Sequence, residues 1–217
     1  MSIYAIGDLH LDFKNEKPMN IFGENWHNHD KKVREDWGNK VTENDLVILP
    51  GDFSWASTLQ DTYEAFEYLE KLPGKKILLK GNHDYWWTTM KKMQEFICEN
   101  NFSRISFLYN NSYIYEDYII AGTRGWVEDD EKVMKREQIR LELSIKYGIE
   151  KYGANKDIII VMHYPPTENL IQTIEKYNVV KGIYGHLHGV TAAPKINSKI
   201  PFELVSSDYL NFKLYKI

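Results

Sequence analysis

Cysteine is nearly absent: Cys98 is the one thiol in 217 residues, which excludes an internal disulfide framework and suits a reducing, cytoplasmic setting. Within Met90–Cys98 it falls in a helical pattern and is expected as a small buried core side chain. Long apolar runs are also lacking. None approaches the roughly 18–20 residues that span a bilayer, so no membrane association is expected. The first eight residues, Met1 to Asp8, contain no basic stretch and reach an aspartate quickly, so they read as a strand and not as a leader. There is no excess of basic residues either: Lys and Arg number 27 against 31 Asp and Glu, a net charge of −4. That balance argues against a general nucleic-acid binder, because phosphate-backbone affinity rests on clustered cations. No repeat, low-complexity tract or linker interrupts the chain, which predicts a single domain over residues 1–217.

What is present is a series of short apolar runs, each ending in aspartate or histidine. Ile77-Leu78-Leu79 leads to Lys80-Gly81-Asn82-His83-Asp84, the loop around which the rest is organised. Residues 2–7 deliver Asp8 and His10, which lie two apart in extended backbone and so point to the same side. Leu46–Leu49 leads to Gly51-Asp52, Ile158–Met162 to His163, and residues 181–184 to Gly185-His186-Leu187-His188. The intervening pattern alternates strand and helix, an α/β arrangement.

Residues 11–30 read as an irregular flap near the site, with His27 and His29 as solvated loop residues. A short helix is expected over about 31–40. Another is expected over 58–71, opened by a Ser57-x-x-Gln60 capping box. A helix over 85–99 would start at Trp86 and Trp87, read as core packing. Residues 105–121 suggest a three-strand meander. In a charged helix over 129–151, Arg136 and Arg140 are expected to pair with Glu137 and Glu142. Residues 202–206 and 212–216 are expected as closing antiparallel strands.

Collected, the motifs offer two carboxylates (Asp8, Asp52), the amide of Asn82 and five of the seven histidines. Imidazole with carboxylate and amide oxygen, without thiolate, suits Zn, Fe, Mn or Co. The donors are too many for one tetrahedral ion and about right for two ions sharing a carboxylate. Such a site stays net positive after two carboxylates and a hydroxide, which favours an anionic phosphate oxygen.

In their order D-x-H, G-D, G-N-H-D, H and G-H-x-H, these motifs resemble the calcineurin-like metallophosphoesterases, in the branch of small bacterial-type phosphoesterases. The resemblance runs from residue 8 to residue 188. It implies an α/β fold of four layers, an α/β/β/α sandwich of two mixed sheets. It implies two divalent ions (Mn, Fe, Zn or Mg), one held by Asp8, His10 and His188, the other by Asn82, His163 and His186, with Asp52 bridging. His83 would contact the scissile phosphate and Asp84 would orient His83. The implied reaction is hydrolysis of a phosphomonoester or phosphodiester of a small phosphorylated substrate, by attack of a metal-bridging hydroxide. No obligate protein partner is implied. The arginine that follows G-D in the protein phosphatases of the superfamily is missing here, since Phe53-Ser54-Trp55 follows Asp52. The pyrophosphatases of the lipid A pathway carry arginine where His83 stands. Arg124 is the candidate for an extra substrate contact. The alternatives are a nuclease, which needs a basic groove interleaved with aromatics that the sequence does not show, and a catalytically silent metal-binding scaffold or sensor.

Overall fold

Alternation along each strand decides which of two hydrophobic layers a side chain enters. The computed structural model describes residues 1–14, 16–127 and 130–217. Among these, ten strands form: Ile3–Ala5 (β1), Leu46–Leu49 (β2), Lys75–Leu79 (β3), Ile105–Leu108 (β4), Ser112–Tyr115 (β5), Tyr118–Thr123 (β6), Asp157–Met162 (β7), Val179–Tyr184 (β8), Phe202–Leu204 (β9) and Tyr215–Lys216 (β10). The α-helices are His29–Lys40 (α1), Tyr63–Lys71 (α2), Met90–Glu99 (α3), Glu131–Tyr152 (α4) and Glu168–Ile174 (α5). Two mixed five-stranded sheets result, in the orders β10-β1-β2-β3-β4 and β5-β6-β7-β8-β9.

Ile3, Ala5, Leu46 and Ile48 of the first sheet meet Ile120, Ile159, Val161 and Ile183 of the second in a buried layer between the sheets. Tyr4, Val47 and Leu49, one step out of phase, pack outward against Trp37, Phe66 and Met93 of α1, α2 and α3. Ile119, Ile158 and Ile160 likewise face Leu141, Ile145 and Leu170 of α4 and α5. The expected α/β/β/α layering follows directly from this period-two burial. The two sheets are stitched where β1 ends: Gly7 donates to Val205 O at 2.7 Å, and Ser207 N donates to Gly7 O at 3.0 Å. Among the described residues no helix is long and apolar enough to cross a membrane.

Several local expectations are corrected. The meander divides, because β4 joins β3 in the first sheet and only β5 and β6 form a hairpin in the second. Asn110, in left-handed backbone with φ 55°, lies on the crossing between them. β9 runs parallel to β8, not antiparallel, while β10 is antiparallel to β1 as expected. Thr58, not Ser57, caps the turn before α2, with Asp61 N donating to its hydroxyl at 3.3 Å. α3 begins at Met90 because Thr89 caps it, and Trp86 and Trp87 are buried in the preceding turn. Cys98 is exposed, since α3 turns Met93 and Phe96 inward and leaves the thiol outside that stripe. The expected start of α4 at residue 129 lies outside the described residues. Arg136 and Arg140 both reach Glu137, whereas Glu142 takes Lys146.

Residues 16–28 are less irregular than expected. Met19–Phe22 and Glu24–Trp26 form 3-10 turns, and Met19 and Trp26 are buried. Trp26 packs on the rings of His10 and His188 at 6.2 and 5.6 Å, so the segment lies near the site as expected, as an anchored strap over it. His29, expected in solvent, is half-buried as the first residue of α1, 5.3 Å from the Trp26 ring.

Candidate metal centre

The loops leaving β1, β2, β3, β7 and β8 bring seven oxygen and nitrogen donors together. Asp8, His10 and His188 offer ligand atoms all within 4.8 Å of one another, as do Asp8, Asp52 and His163. His10 Nε2 lies 3.2 Å from His188 Nε2 and 3.8 Å from Asp52 Oδ2. On the other side, Asn82 Oδ1 lies 2.6 Å from His163 Nε2 and 3.0 Å from His186 Nδ1. His163 Nε2 is 3.5 Å from Asp52 Oδ2, which places Asp52 between the two groups.

The backbone is held in unusual conformations to achieve this. Asp8, His10, Asp52 and His186 all adopt left-handed backbone, with φ of 57°, 46°, 51° and 71°. Such conformations cost on the order of 1 kcal/mol each and persist only where the surroundings enforce them. Here Asp8 N and His10 N donate to Gly51 O and Asp52 O, both at 2.9 Å, and lock the two loops together. Glycine is required beside them. A Cβ on Gly81 would collide with the Asp52 carboxylate and amide, and one on Gly185 with the Asp8 carboxylate.

Hydrogen bonds at the rear of two rings assign their tautomers. His163 Nδ1 donates to Pro50 O at 3.0 Å, leaving Nε2 as a lone-pair donor toward Asp52 and Asn82. His188 Nδ1 meets Asp208 Oδ1 at 2.9 Å, an arrangement that orients a ligand imidazole and raises its basicity. The sequence reading missed Asp208. Its one signal was the polar run Ser206-Ser207-Asp208 directly after the buried Leu204-Val205. Ser207 Oγ also braces the site, donating to Asp8 O at 2.7 Å.

His83 lies at the mouth, half-buried, its ring 4.7 Å from Trp55 and 5.7 Å from His10. Burial, then His188 and Lys17, push its pKa down, so the ring is neutral near pH 7. The structure does not bring the Asp84 carboxylate onto this imidazole. Asp84 Oδ2 accepts from the amides of Asp52 (2.9 Å) and Gly81 (2.7 Å), and Oδ1 from Phe53 N and Trp86 Nε1, both at 2.9 Å. Asp84 therefore clamps the β2 and β3 loops to each other and does not orient His83, the role that the resemblance implied for it. Arg124 lies one hydrogen bond from the cluster: its carbonyl accepts His163 N at 3.1 Å, and its guanidinium covers Trp126 at 4.9 Å.

The electrostatics fit divalent cations. Burial pushes Asp8 up to about 7, and burial followed by Asp84 and Asp8 pushes Asp52 up to about 9. Burial likewise drives His10 and His163 well below the usual imidazole range, which keeps them neutral and able to ligate. Carboxylates this crowded are costly to ionise without nearby positive charge, and a metal ion among them inverts that cost. Neutral imidazoles, amide oxygen and carboxylates without thiolate match borderline-hard divalent ions.

A family model described as calcineurin-like phosphoesterase matches residues 1–190. The Gene 66 protein of Mycobacterium phage L5 is 31% identical over 77 residues, which span only 36% of this chain and 37% of that relative. In structure the chain is similar to TT1561 of Thermus thermophilus, with a TM-score of 0.64 at 12% identity, over 99% of this chain and 97% of that one. That likeness is one of fold.

Proposed function

The chain belongs to the calcineurin-like phosphoesterase family, and from that premise we propose that it is a metal-dependent phosphohydrolase cleaving a phosphomonoester or phosphodiester. One observation carries the reading: seven donors on five loops converge around Asp52, two of them buried carboxylates whose ionisation needs a cation. Asp8, His10 and His188 would hold one divalent ion, Asn82, His163 and His186 the other, with Asp52 shared. Ions bound there supply Lewis acidity to phosphoryl oxygens and lower the pKa of coordinated water.

The chain's own groups then have defined work. Asp208 and Pro50 O keep His188 and His163 in the tautomers that present Nε2. Trp26 and Trp55 exclude water from the His10 side, Trp55 stacking on His10 at 4.7 Å. His83 Nδ1 lies 3.5 Å from the Tyr85 hydroxyl, which leaves Nε2 for the leaving oxygen: the neutral ring hydrogen-bonds it, and hands it a proton once the charge of the substrate phosphate has raised the ring's pKa. The substrate would be a small phosphorylated molecule contacted by Arg124, manganese is a compatible metal, and the single free thiol suits a cytoplasmic setting.

Its test is hydrolysis of a chromogenic phosphodiester beside the matching monoester by metal-stripped protein reloaded with Mn, Fe, Zn or Mg. Metal-dependent cleavage of either supports the reading and fixes the ester class. No cleavage of either at full metal content counts against it.

A further inference from the structure

A cavity of about 660 Å³ opens beside the metal centre, between the carboxyl ends of β3, β4 and β6 and the N-terminal half of α4. Lys80, Arg124, Arg136 and Arg140 line it, and among the described residues Glu137 is the one acidic side chain in the lining. The chain as a whole carries a net charge of −4, so this concentration of cations is local. We propose that the cavity receives a second phosphate group of the substrate, making the preferred substrates phosphoesters that carry a phosphate at each end. The proposal rests on the phosphohydrolase reading.

Glu137 does not neutralise the cavity for a ligand, because it is spent in the wall. It is 1% exposed, its Oε2 accepts the Thr123 hydroxyl at 2.7 Å, and its Oε1 takes Arg140 Nη1 at 2.8 Å and Arg136 Nε at 3.5 Å. Arg140 Nη2 donates in addition to the Tyr109 hydroxyl at 3.1 Å, so this guanidinium is held in place before any ligand arrives. Arg124 Nε is buried and has no hydrogen-bond partner among the described residues, a donor that a phosphate oxygen would satisfy. Lys80 and Arg124 tie the cavity to the centre: Lys80 precedes Gly81-Asn82, and Arg124 O holds His163 N. Among the described side chains Glu137 offsets one of the four cations, and the three that remain suit a phosphate dianion better than a singly charged carboxylate.

The experiment has two arms. Calorimetric titration of metal-stripped protein with inorganic phosphate is expected to show one site per chain, weakened at least tenfold in Arg136→Gln, a half-exposed position, and in Lys80→Gln. In the second arm the metal-loaded protein is given propyl phosphate, the α,ω-alkanediol bisphosphates of three to six carbons, and 6-phosphooxyhexanoate. At least one bisphosphate should exceed propyl phosphate in kcat/KM by tenfold or more, and Arg136→Gln should lower that ratio at least tenfold. Turnover of all esters with no bisphosphate preference overturns this proposal and leaves the phosphohydrolase reading standing. A carboxylate that matches the bisphosphate overturns the choice of phosphate. No ester cleaved at full metal content, with phosphate binding intact, overturns the phosphohydrolase reading and the substrate assignment with it.

Discussion

Asp52 and His83 divide the work of binding metal and moving protons, and they should separate on substitution. Asp52→Asn replaces a carboxyl whose pKa burial pushes up to about 9 while keeping an oxygen for the His83 amide, now 2.8 Å from Asp52 Oδ1. It should lower metal content and abolish turnover, yet raise the melting temperature of the metal-free protein at neutral pH, because folding no longer has to protonate a buried carboxyl that is ionised in the unfolded chain. Elemental analysis and thermal melts with and without metal check both halves. His83→Ala should retain both metals and slow turnover roughly 10²–10⁴-fold, the scale of a positioned acid–base group; elemental analysis beside steady-state kinetics checks it, and metal loss there would make His83 a ligand. The donors themselves were legible in the sequence because polar residues ending apolar runs have few other reasons to recur in that order. The partners of Asp84 were not. Which groups a carboxylate accepts from depends on where the β2 loop folds back onto it, and sequence adjacency to His83 pointed the wrong way. Asp208 stayed hidden for the same reason, lying 20 residues beyond His188.

At the scale of the element, the strap over residues 16–28 is the part whose role changed most between sequence and structure. Its two buried anchors, Met19 and Trp26, could not be told from loop aromatics without knowing what they cover. Because Trp26 touches His10 and His188, Trp26→Ala should weaken metal binding about 10–100-fold, as loss of outer support to ligands does, with little change in far-UV circular dichroism. A substrate-only effect would return the segment to the role of a flap. β3 carries a second testable feature. Lys76 is buried in it, its ammonium reaching Leu72 O, and burial pushes its pKa down to about 7. The unfolded chain keeps that proton up to about 10.5 while the folded protein releases it near 7, so stability from this group rises between those pH values. Lys76→Met should therefore stabilise by roughly 1–3 kcal/mol at pH 7 and by progressively less toward pH 10, read from denaturant midpoints. Strand and helix order was readable from periodicity, whereas sheet membership was not. β4 carries the same alternation as its neighbours, and only the turn at Asn110-Asn111 decides that β5 leaves for the other sheet.

Across the whole molecule, the two sheets are joined by the buried layer between them and again at the site that their strand ends share. β1, β2 and β3 bring Asp8, Asp52 and Asn82 from one sheet, β7 and β8 bring His163 and His186 from the other, and the Gly7–Val205 and Ser207–Gly7 hydrogen bonds close the seam. Metal binding should thus couple the sheets and raise the cooperativity of unfolding as well as its midpoint. The most direct test of a shared two-ion centre is turnover of a chromogenic phosphoester against metal equivalents added to stripped protein. No activity is expected before metal is added, then a rise that completes at two equivalents per chain, and no rise in Asp52→Asn. Activity in the stripped protein, or full activity at one equivalent that Asp52→Asn retains, would contradict it.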